Sequence, residues 1–101
     1  MATHAAVLIV DVRIRASHSL KDKRTALRPL LEGLRRRFAV SVAEVDHQDL
    51  LQRSEIAVAA VQSSAGQLDG LFAAVERFIW SFPDLEVIAS DRHWIEVEAE
   101  G

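Results

Sequence analysis

The sequence predicts an α+β domain whose elements follow the order strand, helix, strand, strand, helix, strand. Three observations support this prediction. Four segments have the composition or alternation of strands, two longer segments repeat apolar residues at helical spacing, and each helical segment opens with a serine capping pattern. A chain of 101 residues has room for one such unit, so we expect residues 1–101 to form a single domain.

The four predicted strands differ in length. The first covers residues 5–15, where one set of alternate residues is apolar throughout and the other set turns polar toward the end. Short apolar runs at residues 40–45 and 56–61 predict the second and third strands, separated by a polar loop. The last strand is predicted over residues 85–98.

The first helix is predicted to begin after Ser19 and to end near Arg37. Ser19 followed by Asp22 resembles a capping box, in which the serine hydroxyl accepts a hydrogen bond from the backbone N–H three residues later. Its apolar stripe consists of Leu27, Leu30, Leu31, Leu34 and Phe38. Pro29 cannot donate to the Thr25 carbonyl, so we expect a kink or local loosening there.

The second helix is predicted to follow Ser64, with Gln67 in the matching capping position, and to stop before Pro83. Two strand–helix–strand units joined by a hairpin place both helices on one face of a four-stranded antiparallel sheet, with the first and third strands central. This arrangement is the ferredoxin-like sandwich. It leaves the other sheet face bare, so Val7 and Ile9 on that face need a partner or must tolerate water.

Composition restricts the classes of function. The chain has no cysteine, which excludes disulfides and thiolate metal sites. The apolar run at residues 5–10 is too short for a membrane span and has no basic leader, so we expect a cytoplasmic protein without membrane contact.

Charge is distributed unevenly along the chain. Net charge is −3, but residues 13–37 hold nine basic and two acidic residues, whereas the rest holds three basic and 13 acidic residues. This asymmetry predicts a basic face that binds phosphates of a nucleic acid. The candidate residues are Arg13, Arg15, Lys21, Lys23, Arg24, Arg28, Arg35, Arg36 and Arg37. The alternative is a solvated helix face, with the last three arginines favoured by the helix dipole.

The bare sheet face is a second candidate site. The central strands carry no aromatic residue, which argues against recognition of bases by stacking on the sheet. His93 and Trp94 on the last strand offer one stacking platform, although a strand tryptophan usually packs. Two copies of the chain that cover Val7 and Ile9 would form a homodimer.

Two polar segments carry residue types that are found in chemical sites. The loop at residues 46–49 holds Asp46, His47 and Asp49, but their spacing matches no known metal loop and turn formation explains them. The adjacent residues Ser17 and His18 lack an oxyanion loop and a favourable orientation for a nucleophile and base. We therefore expect no metal, no cofactor and no enzymatic activity.

The strings SLKDKR at residues 19–24, RRRFAVSVAEVD at 35–46 and QDLLQR at 48–53 occur in this order. In them the chain resembles the YlxP-like family of small bacterial proteins of unknown function. The resemblance implies a ferredoxin-like fold, a bacterial cytoplasmic setting and, through neighbouring genes for translation and ribosome maturation, a role connected with RNA. It implies no activity. Pro29 departs from the family pattern.

Two functions follow as hypotheses. The first is a non-enzymatic protein that binds RNA or the ribosome through the basic helix, by electrostatic positioning with little sequence recognition. The second is a dimeric protein-interaction or small-ligand module that uses the open sheet face and nearby acidic residues. Those acidic residues are Glu44, Asp46, Asp49 and Glu55.

Overall fold

A computed structural model describes residues 3–97 of the protein, and the predicted order of elements is confirmed. The elements are β1 (His4–Ile14), α1 (Leu20–Arg37), β2 (Ser41–Asp46), β3 (Arg53–Gln62), α2 (Ala65–Trp80) and β4 (Leu85–Ile95). The third strand begins earlier than its apolar run predicts, because polar residues at its start have partners inside the protein. Arg53 pairs with Asp11 on β1, and the Ser54 hydroxyl donates to Glu44 on β2. The last strand ends at Ile95, and residue 98 of the predicted strand lies outside the described residues.

The four strands form one antiparallel sheet in the order β2-β3-β1-β4, so β1 and β3 are central as predicted. Val10 on β1 lies opposite Ile56 on β3. One extra residue interrupts each outer pairing: Val45 on β2, and Ile88 on β4. These elements and this topology are those of a ferredoxin-like α+β fold.

The core lies between one sheet face and the two helices. Every second residue of β1 from Ala6 to Ile14 is buried, as the alternation predicts. The helices contribute Leu27, Leu30 and Leu34 from α1, and Leu68, Phe72, Val75 and Ile79 from α2. At Gly33 the helices approach closely, since a Cβ atom there would lie 2.5 Å from Cζ of Phe78. The apolar spacing of both helices therefore indicated the core correctly.

Both predicted helix caps are present. The Ser19 hydroxyl accepts from the Asp22 backbone N–H at 3.0 Å, and the Ser64 hydroxyl accepts from the Gln67 N–H at 3.1 Å. α1 remains helical through Pro29, which lies on its exposed side, so the proline does not end the helix. Within residues 3–97, neither helix has the length and apolar content to cross a bilayer.

Arg92 joins the edge strand β4 to α2. Its guanidinium donates to Glu76 and pairs with Asp69, and it lies 5.9 Å from the centre of the Phe72 ring. The hydrogen bond with Glu76 raises the pKa of Arg92 above its ordinary value. The second helix is thus fixed to the sheet by charge as well as by apolar packing.

Candidate nucleic-acid interface

Four of the predicted basic residues lie along one flank of α1, beside its buried stripe. They are Lys21, Arg24, Arg28 and Arg35, spaced by three, four and seven residues, and all four are exposed. We call this set the α1 stripe. Among residues 3–97, no carboxylate lies within ion-pair distance of any of them. Over the described chain, the cations of the stripe therefore form no direct ion pair with the protein's own acidic residues.

The arginines at the end of α1 separate in space. The Arg35 guanidinium donates to the Val42 backbone carbonyl on β2 at 3.0 Å. Arg37 turns toward α2 and lies 4.8 Å from the centre of the Phe78 ring. Arg36 is exposed and, within residues 3–97, forms no ion pair. The three consecutive arginines therefore do not form one phosphate site, because successive helix positions point about 100° apart.

Lys23 lies outside the exposed interface that the sequence predicts, because its side chain is only 3% exposed. Its Nζ lies 2.9 Å from Oε2 of Glu44 and donates to the backbone carbonyls of His47 at 2.6 Å and Gln48 at 3.4 Å. The prediction that Lys23 contacts phosphate is wrong, since the group is enclosed and paired. The sequence does carry the signal: Lys23 precedes Leu27 by four residues and so shares the buried stripe.

Arg13 and Arg15 lie away from the α1 stripe. Arg15 donates to Oε2 of Glu86 at 2.5 Å, and Nη1 of Arg13 lies 3.9 Å from the same atom. Arg13 lies opposite Arg53 of β3 and alternates with the buried residues of β1, so it lies on the face without helices. The structure therefore does not bring these two arginines together with the arginines of α1.

A groove runs between α1 and the edge formed by β2 and its following loop. Its volume is about 560 Å³. It is lined by the apolar residues Leu20, Leu27 and Leu31, by Lys23, Arg24, Arg28, Glu32 and Arg35 of α1, and by Glu44, Gln48 and Asp49 on the opposite side. Sequence reasoning missed this groove, because its two walls are about 20 residues apart and no single motif spans them.

The exposed edge of β2 is partly covered by side chains. Arg35 donates to the Val42 carbonyl, and Nε2 of Gln48 lies 3.5 Å from the Glu44 carbonyl. Side chains that occupy edge carbonyls oppose the addition of another strand. The groove beside β2 therefore presents side chains, rather than a free backbone edge, to a ligand.

The open sheet face has an apolar half and a charged half. Val7 lies between Ala59 and His93, and Ile9 lies between Ala57 and Asp91. Further along the sheet the same face carries Asp11, Arg53 and Glu55. We use the name open sheet face for this surface. Its apolar part matches the predicted bare surface around Val7 and Ile9.

The predicted aromatic platform on β4 does not form. His93 pairs with Val7 on the open sheet face, whereas Trp94 pairs with the buried-face residue Ala6. Adjacent residues of a strand point to opposite faces, so the imidazole and the indole cannot stack on one ligand. Trp94 remains exposed on the other side of the sheet.

The β2–β3 loop and the start of β3 bring possible metal ligands closer together than their spacing in the sequence suggests. Ligand atoms of Asp46, His47 and Glu55 lie within 4.8 Å of one another, because Glu55 of β3 pairs with Asp46. His47 has a left-handed backbone with φ of 62°. No fourth histidine, cysteine or carboxylate from residues 3–97 joins this cluster. It therefore has one ligand fewer than a closed tetrahedral zinc site requires.

The serine–histidine segment before α1 organises the start of that helix. The Ser17 hydroxyl donates to the Ser19 carbonyl at 3.1 Å, and the Ser19 hydroxyl caps the helix. The His18 backbone N–H donates to the Asp22 carboxylate at 3.1 Å. The two hydroxyls thus have structural partners within the turn.

Comparison with known proteins places the chain in a family. A family model described as "Protein of unknown function (DUF503)" matches residues 5–92. The chain is also similar to the uncharacterized protein YlxP of Bacillus subtilis strain 168, with 38% identity over 76 residues, which cover 75% of this chain and 83% of that relative. The likeness to the YlxP-like family is thereby confirmed, and the chain belongs to the DUF503 family of proteins of unknown function.

Proposed function

We propose that this protein is a cytoplasmic, non-enzymatic binding protein that holds RNA, including ribosomal RNA, by its phosphates. The ligand would lie along the α1 stripe. The observation that carries the proposal is that Arg24 and Arg28 are exposed and, among residues 3–97, have no carboxylate partner. A guanidinium without an internal partner is free to form two parallel hydrogen bonds with a phosphate.

The length of the α1 stripe suits several consecutive phosphates. Lys21 and Arg35 are 14 positions apart, which is about 21 Å along a helix with a rise of 1.5 Å per residue. The remaining surface is acidic, since most carboxylates lie outside residues 13–37. A polyanion would therefore be repelled from most of the molecule and attracted to this flank of α1.

The test is the binding of labelled single-stranded RNA measured by fluorescence anisotropy between about 50 and 200 mM salt. Four phosphate contacts predict a slope of log affinity against log salt of about −3 for a single strand. Arg24→Glu is expected to weaken binding and to bring the slope to about −2.

Arg77→Glu is the matched control, because Arg77 is an exposed arginine on α2 and the charge change is the same. Equal loss of affinity in both variants would show a general charge effect and would overturn the proposed site. Absence of binding in the unaltered protein at the lowest salt would overturn the function.

A second candidate function is that of a dimeric binding module, in which the open sheet face of one copy covers that of another. It is favoured by the apolar centre of this face, where Val7, Ile9, Ala57 and Ala59 are only partly covered by the chain itself. Such a dimer would act as a protein-interaction or small-ligand module.

Light scattering of the purified protein tests the dimer. We expect twice the chain mass for the unaltered protein and a monomer for Val7→Asp, because dimer formation would remove a charged carboxylate from water in the apolar centre. Val61→Asp is the control, because that exposed residue lies beside the apolar centre rather than within it. A monomeric unaltered protein would refute this candidate.

A further inference from the structure

The groove beside α1 has the volume and the side chains to hold a base in addition to phosphate. We propose that it holds one unstacked guanine base of a single-stranded nucleic acid whose phosphates lie on the α1 stripe, and that Asp49 recognises the base. This inference rests on the proposed function. It adds a base preference to an interface that would otherwise bind every sequence equally.

The α1 side of the groove suits the phosphate and the flat face of a nucleotide, and the opposite side suits the edge of its base. Arg24, Arg28 and Arg35 line one side, where they match phosphate and offer guanidinium planes for stacking. Leu27 and Leu31 supply an apolar surface for the flat base. The volume of about 560 Å³ lies within the range of small-ligand sites, roughly 300–1,000 Å³.

Asp49 supplies the unpaired carboxylate on the opposite side. It is exposed, and its carboxylate has no hydrogen-bond or ion-pair partner within residues 3–97. Glu44 on the same side differs, since one of its carboxylate oxygens accepts from the Ser54 hydroxyl and faces Lys23. An ionised carboxylate only accepts hydrogen bonds, so Asp49 selects an edge that offers donors.

Guanine is the base whose pairing edge suits a carboxylate. It presents two adjacent donors, the N1 imino group and the N2 amino group, which can bind both carboxylate oxygens. Adenine and cytosine place one amino donor beside an acceptor nitrogen, and uracil places one imino donor between two carbonyl groups. A second contact with Asp49 would be repulsive for these three bases.

Lys23 acts as a positioning residue for this site. Its Nζ binds the carbonyls of His47 and Gln48, the two residues that precede Asp49, and so fixes the loop against α1. Because the groove lies beside the α1 stripe, a base must leave its stack to enter it. Single strands are therefore expected to bind better than duplexes.

The experiment compares labelled hexanucleotides of uridine with one central substitution, at fixed salt, by fluorescence anisotropy. With guanosine at the centre we expect about tenfold tighter binding than with adenosine, cytidine or uridine. Inosine keeps the N1 imino group but lacks the N2 amino group, and it is expected to bind with intermediate affinity. Asp49→Asn is expected to remove the guanosine preference, so that all four central bases bind with affinities equal within about twofold.

Asp84→Asn is the matched control, because Asp84 is an exposed aspartate in the turn between α2 and β4 and lies outside the groove. Equal affinity of the unaltered protein for all hexanucleotides, with a normal salt slope, would overturn the base site and leave the phosphate interface standing. A guanosine preference that survives Asp49→Asn would also overturn it. No binding to any hexanucleotide would overturn both proposals.

Discussion

Replacement of Lys23 by methionine is expected to destabilise the protein substantially. Lys23 is enclosed, and its ammonium group binds Glu44 and two loop carbonyls, those of His47 and Gln48. Methionine retains most of the apolar stem but removes the charge. The change leaves a carboxylate and two carbonyl groups without their cation at the junction of α1, β2 and the β2–β3 loop.

The size of the effect follows from the burial of the partner. Removal of one member of a fully buried pair costs about 3–5 kcal/mol. The Glu44 side chain is 23% exposed and keeps a hydrogen bond from the Ser54 hydroxyl, so part of its charge stays solvated. We therefore expect a loss of about 2–3 kcal/mol. For a domain of this size that corresponds to a fall in Tm of about 10–20 °C.

The assay is urea unfolding followed by circular dichroism for Lys23→Met, Glu44→Leu and the double variant. The double variant removes both charges, so its loss should be smaller than the sum of the two single losses by at least about 1 kcal/mol. Lys21→Met is the control on the exposed side of the same helix and should change stability by less than about 0.5 kcal/mol. Equal losses for Lys23→Met and Lys21→Met, or strict additivity, would refute the buried pair.

Three further predictions concern packing and the helices, and thermal unfolding checks each. Gly33→Ala should lower the free energy of unfolding by about 1 kcal/mol, because its Cβ would meet the Phe78 ring. Gly70→Ala has open space around the new Cβ and should raise the free energy of unfolding by about 0.5–1 kcal/mol. Equal effects of the two substitutions would contradict the close approach of the helices at Gly33. Pro29→Ala should stabilise by about 2 kcal/mol by restoring a helix hydrogen bond, and a loss would contradict the exposed position. Arg92→Met should cost about 1–3 kcal/mol by separating β4 from α2, and an unchanged Tm would contradict that link.

Most of the fold was predictable because its signals are local. Alternation in β1 and the leucine spacing in α1 each depend on neighbouring residues, and both serine caps follow from four-residue patterns. The β3 boundary was not predictable in the same way. Arg53 and Ser54 look like loop residues until their partners on β1 and β2 are known. Local pattern thus identified the elements, and tertiary pairing extended one of them.

The site was predictable only in part, because a count of charges along the sequence ignores both the helical periodicity and the distant partners of each charged residue. Arg24 and Arg28 are exposed as expected, whereas Lys23 between them in the run is buried in an ion pair. Arg13 and Arg15 meet Glu86, which lies about 70 residues away in the sequence. The groove beside α1 likewise depends on the approach of two distant segments.

The most direct test of the central claim is amide chemical-shift mapping of the labelled protein titrated with single-stranded RNA. We predict that the changes concentrate on residues 21–36 of α1 and on the loop at residues 47–50, and that they fade as salt is added. Shifts centred instead on Val7, Ile9 and Ala57 of the open sheet face, or no shifts at low salt, would contradict the account.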